Sequence, residues 1–134
     1  MNLPQDTVVA VTDGAKLDLY RNTGNGTDLQ LVAMPDVSVE GEARGSGGRH
    51  ASTSANPDSS QQDEDGFSAG VVQYLNKQVL EGGIDNLVVI SAPRSLGELR
   101  KHYHKFLSAK LLLEISKDLT GHSIADVEKA VLAA

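Results

Sequence analysis

Two stretches of this chain are apolar at nearly every position. Thr7–Val11 reads Thr-Val-Val-Ala-Val, and Leu87–Ile90 reads Leu-Val-Val-Ile. A strand with one wet face alternates, so unbroken β-branched runs belong to strands covered on both faces. The two are therefore expected as neighbouring parallel strands inside a sheet. After the first run comes Asp13-Gly14, a dipeptide favoured in type I′ hairpins. Lys16 to Arg21 then alternates polar and apolar, as a half-exposed strand should. Asn22–Thr27 is a second turn cluster and Leu29–Ala33 a third strand, which completes an antiparallel meander.

Further along, Phe67, Val71, Leu75 and Val79 recur every four residues, with Val72 beside them. That period predicts a helix over 63–80, with Asp63, Glu64 and Asp65 at its N-terminus and Gly82-Gly83 ending it. Ala92-Pro93 stops the buried strand, and Ser95-x-x-Glu98 reads as a capping box opening a helix to about His102. Lys110–Ile115 reads as the last strand, with a helix as the alternative. Ser123-x-x-Asp126 caps a final helix carrying Ile124, Val127 and Val131 on one face. The order βββ-α-β-α-β-α gives a single α/β domain over 1–134, a mixed sheet with helices packed on it.

The segment 40–62 breaks the pattern. It is rich in Gly, Ser, Asn and Pro and has almost no large apolar side chain, so it is expected as a mobile polar loop.

Composition narrows the chemistry. With no cysteine there is no disulfide, thiolate metal site or cysteine nucleophile. The start lacks the basic and apolar regions of a signal peptide, and no apolar run approaches the roughly 20 residues that span a bilayer. The chain reads as soluble and cytoplasmic. Its net charge of −6 argues against broad nonspecific nucleic-acid binding, though not against a local basic patch. Two Phe, three Tyr and no Trp leave little for a base-stacking platform.

Basic residues do gather in one place. Arg94, Arg100, Lys101 and Lys105, with His102 and His104, surround the helix after the buried strand. Strand ends and helix starts are where α/β sheets recognise anions, so Arg94, Arg100 and Lys101 are candidate phosphate or RNA contacts. Gly47-Gly48-Arg49-His50 in the polar loop is a second candidate, with Arg49 as the anion contact and His50 as an acid or base. No metal or other cofactor is expected. On a helix His102 and His104 would point about 200° apart. Asp13, Asp85 and Asp118 border strands, but Asp13 is explained as a turn residue.

Three pieces carry a resemblance: VVAVTDGAKLDLYRN, FSAGVVQYLNKQVLEGGIDNLVVISAPRSLGELR and EISKDLTGHSIADVEKAV. They resemble the bacterial host attachment proteins, a family similar in turn to the middle domain of archaeal and eukaryotic peptide chain release factors. The resemblance implies an RNase H-like fold, and such a fold invites a nuclease reading with Mg²⁺ held by Asp13, Asp85 and Asp118, though nothing in the sequence shows that the three converge. In those release factors a loop between the third strand and the first helix carries Gly-Gly-Gln and promotes peptidyl-tRNA hydrolysis. Here the loop in that place has Gly47-Gly48-Arg49, and the missing glutamine argues against peptide release. The resemblance thus implies a noncatalytic binding module with the ribosome or RNA as partner. The alternatives are a hydrolytic factor acting on peptidyl-tRNA through the Gly-rich loop, and a protein-interaction module acting in attachment.

Overall fold

β1 (Val8–Thr12) and β4 (Leu87–Ser91) lie side by side and parallel, paired from Val8↔Leu87 to Thr12↔Ser91. Every residue of both strands is buried, as their unbroken apolar runs require. This is a computed structural model, and it describes residues 2–25, 27–37, 39 and 59–134. β2 (Leu17–Asn22) pairs antiparallel with β1, and β3 (Leu31–Ala33) antiparallel with β2. β5 (Leu111–Ser116) pairs parallel with β4, which gives a five-stranded mixed sheet in the order β3-β2-β1-β4-β5.

The pleat sends alternate side chains to opposite faces. Val8, Ala10, Leu87 and Val89 join Leu19 on one face, in a cluster with Phe67, Val71, Val72, Leu75 and Val79 of α1 (Ser59–Leu80). Leu96 and Leu99 of α2 (Pro93–Arg100) and Leu107 of α3 (Lys105–Lys110) complete that layer. Val9, Val11, Val88 and Ile90 form the second layer with Leu3, Tyr20 and Leu31, closed by Val127 and Val131 of α4 (Ile124–Ala133). The architecture is the expected α/β sheet with helices on both faces.

Local details differ from the sequence reading. Four residues, Asp13 to Lys16, separate the paired Thr12 and Leu17, so the first hairpin is not a two-residue type I′ turn. Gly14 also lacks the positive φ such a turn needs. Asp13 builds the turn instead, its Oδ1 accepting the N–H groups of Ala15 and Lys16, each at 2.7 Å. The second turn depends on Gly24, where a Cβ would overlap the Asp28 carbonyl oxygen. α1 starts at Ser59, so residues 59–62 of the expected polar loop are helical. The rest of that loop, from Glu40 on, lies outside the described residues. α2 begins at Pro93, with Ala92 as its N-cap and no side-chain cap. Proline's fixed φ and missing N–H suit the first helical position, which puts Ser95 inside the first turn rather than at the cap. Ser123 does cap α4, accepting from Asp126 N–H at 3.2 Å.

Candidate functional site

α2 is short, and its two buried leucines, Leu96 and Leu99, fix how it sits on the sheet. The helical period then distributes the basic residues. Arg94 and Lys101 are seven positions apart and share a face, with Glu98 between them, whereas Arg100 is turned by about 120° from Arg94. The residues grouped in the sequence therefore divide between two surfaces.

On the first, Glu98 is the hub. Lys101 Nζ lies 3.0 Å from Glu98 Oε1 and His102 Nε2 lies 3.3 Å from Glu98 Oε2. The Lys101 hydrogen bond, helped by His102, outweighs desolvation and holds the Glu98 carboxyl below its ordinary range. Instead of reaching back to cap α2, Glu98 binds forward to the chain leaving it. Arg94 is exposed and forms no ion pair among the described residues. It lines a small open cleft with Glu64, Asp65, Ser68, Ser95 and Glu98.

On the second surface Arg100 reaches β5. Its Nε and Nη2 lie 3.1 and 2.8 Å from Glu114 Oε1, and Tyr103 Oη donates to Glu114 Oε2 at 2.8 Å. Burial pushes the Glu114 carboxyl up, but Arg100 and Tyr103 outweigh it and the net shift is downward. Burial, reinforced by Glu114, raises the Tyr103 hydroxyl far above the ordinary tyrosine value. Below about pH 10 the stabilisation is complete; above it the unfolded tyrosine loses its proton while the folded one keeps it, so stability falls. Tyr103→Phe should cost about 1–2 kcal/mol at neutral pH, from the lost hydrogen bond. It should also fall less steeply than the wild type above about pH 10 in urea melts. Tyr20, whose hydroxyl is also raised by burial, titrates in both proteins. Parallel alkaline profiles would contradict the assignment.

Between the surfaces, the chain from Lys101 to His104 is held by α1. Asn76 Nδ2 donates to His102 C=O at 3.2 Å, and Asn76 Oδ1 accepts from His104 N–H at 3.1 Å. His102 and His104 are not on one helix, because α2 ends at Arg100 and His104 is the N-cap of α3. His104 Nδ1 accepts from Phe106 N–H at 3.4 Å, and the two rings stack with centroids 4.6 Å apart. Helix α3 was not legible in the sequence. It has six residues and buries only Leu107, too little for a helical period to show.

Of the candidate carboxylates, Asp13 and Asp118 approach each other at the C-terminal ends of the parallel strands. Thr120 Oγ1 lies 3.0 Å from Asp13 Oδ2 and 2.7 Å from Asp118 Oδ1. Burial raises the Asp13 carboxyl, but the N–H groups of Ala15 and Lys16 and the Thr120 hydroxyl bring it below its ordinary value. Asp85 precedes β4 and so sits at the opposite, N-terminal end of the parallel strands. Among the described residues no three His, Asp or Glu side chains are placed to share a metal ion. Gly47, Gly48, Arg49 and His50 lie outside the described residues.

Comparison with known proteins adds one match. The model of bacterial archaeo-eukaryotic release factor family 12 fits residues 6–131. No curated protein matches the chain.

Proposed function

This chain belongs to bacterial archaeo-eukaryotic release factor family 12, and on that footing we propose that it is a noncatalytic, cytoplasmic binding module that engages RNA on the ribosome. The observation that carries the reading is the charge of one segment in an acidic chain. From Arg94 to Lys110 there are five basic side chains and one acidic one, against a net charge of −6 for the whole. An acidic protein can approach phosphate only where its cations concentrate. Arg100 is held by three hydrogen bonds to Glu114 and Lys101 by a single one to Glu98, so the phosphate contacts we propose are Arg94 and, once it leaves Glu98, Lys101 at the C-terminal end of α2. We propose Gly47, Gly48, Arg49 and His50 as further RNA contacts, on their residue types alone. No helix among the described residues is long and apolar enough to cross a membrane.

The test is co-sedimentation with ribosomes across a salt series. Binding should be seen at low salt and lost at high salt, because phosphate contacts release counterions. Arg94→Ala with Lys101→Ala should weaken it and flatten the slope of log affinity against log salt by up to about two. Stability should change little, since surface ion pairs such as Lys101–Glu98 contribute about 0–1 kcal/mol. Absence of binding at low salt would remove the RNA reading and leave a protein-interaction role, of the kind the host attachment resemblance implies. Hydrolysis of peptidyl-tRNA by the pure protein would replace a binding module with the hydrolytic factor.

A further inference from the structure

We propose that the stacked rings of His104 and Phe106 form a docking platform for one unpaired RNA base. This rests on the RNA reading above and adds to it the place where a base is held. The chain has two phenylalanines and no tryptophan. Phe67 is in the core at 7% exposure, while Phe106 stands 45% exposed on α3. Its ring lies 4.6 Å from that of His104, with planes 23° apart, so the two rings stack face to face and form a short aromatic pile that a further ring can extend. Lys105 Nζ is 5.6 Å from the Phe106 centroid, within cation–π range.

The platform is held from several sides. Asn76 of α1 grips the backbone at His102 and His104. Tyr103, between them, packs against the core and bonds to Glu114. Leu107, next to Phe106, is fully buried. A site ordered before binding loses less conformational entropy when its ligand arrives.

The surrounding charge selects the occupant. Lys105 and Lys110 are exposed and form no ion pair among the described residues. Cations beside a flat ring pair match a nucleotide, whose base is planar and whose phosphate is anionic. An acidic peptide matches the charge and leaves the ring face unused. In the complex the base extends the His104–Phe106 stack, and the flexible Lys105 ammonium moves from the ring to the adjoining phosphate. Unlike Arg94 and Lys101, which contact backbone alone, this face requires a base.

The absence of tryptophan supplies the probe. Phe106→Trp places a single indole on the platform, and its fluorescence reports stacking directly. The oligoribonucleotide rA6 should quench it, and neither inorganic polyphosphate nor a hexaglutamate peptide should. Phe106→Leu keeps an apolar side chain at an exposed site and removes the ring. By anisotropy of labelled rA6 it should bind roughly 5- to 100-fold more weakly than wild type, with an unchanged salt slope. Circular dichroism should show the wild-type fold; should the leucine variant not fold, the indole signal of Phe106→Trp decides. Wild-type affinity in Phe106→Leu together with an unquenched indole would overturn the platform and leave ribosome binding standing. Equal quenching by hexaglutamate would overturn it in favour of a protein partner. A wild type that binds neither ribosomes nor rA6 would remove the platform and the RNA reading together.

Discussion

Replacing Asn22 with alanine should lower the free energy of unfolding by about 2–4 kcal/mol. The side chain is fully buried, and both ends are occupied. Nδ2 donates to the carbonyls of Leu3 and Pro4, each at 3.2 Å. Oδ1 accepts from Gly24 N–H at 3.0 Å and Gln30 N–H at 3.1 Å. One amide thus ties the N-terminal segment to β2 and closes the turn into β3. Alanine removes all four bonds. Pro4 C=O keeps Thr7, whose hydroxyl donates to it at 2.7 Å, but the Leu3 carbonyl and the two turn N–H groups must find water. Groups stranded in this way cost about 1–3 kcal/mol each when water cannot reach them. Asn22→Asp should do no better at neutral pH, since it loses both donated bonds and buries a charge. Asn25→Ala is the control, because its bonds to Thr27 are local and exposed. Urea unfolding measures the differences, and a loss below about 0.5 kcal/mol for Asn22→Ala, the usual range of a surface substitution, would refute the assignment.

Leu107→Ala should cost about 2–5 kcal/mol, the range for truncating a fully buried leucine. Leu107 is the sole buried residue of α3. It packs in the cluster that holds Leu75 and Val79 of α1 and Leu96 and Leu99 of α2. Truncation leaves a cavity in that layer and takes away the anchor of the helix that carries Phe106. Two readouts should move together: the midpoint of urea unfolding, and the amide exchange of α3, which should quicken more than that of β1 and β4. Ser108→Ala, on the exposed side of the same helix, should be near neutral. A small loss at Leu107 would mean that α3 is held by its hydrogen bonds and not by packing.

Legibility followed how far apart the deciding contacts lie in the chain. The parallel pair β1–β4 could be read directly, because burial on both faces forces an apolar residue at each step. α1 was readable because five apolar residues at helical spacing face one layer, and the Ser123 cap because its acceptor and donor are three residues apart. The start of α2 was misplaced because Pro93 and Ser95 both signal a helix start, and the exit of the chain from β4 settles between them. The basic cluster was legible as composition alone. Its partition was hidden, since the partner of Arg100 is Glu114, and the strand that brings Glu114 there joins the sheet edge beside β4.

The amino-acid sequence alone therefore determined the order of most elements, the two-sided core strands and the segment where positive charge collects. These depend on the period of apolar residues and on local caps, and the physics of both acts over a few residues. Only the tertiary structure decided which cations remain available and where an aromatic face is left open. Glu114 engages Arg100 while Glu98 engages Lys101, and Asn76 of α1 fixes the loop that presents His104 and Phe106. Hydrogen bonds and ion pairs at that range form only after the hydrophobic layers have set the helices against the sheet. Their partners are then chosen by position in space, which a period along the chain does not encode.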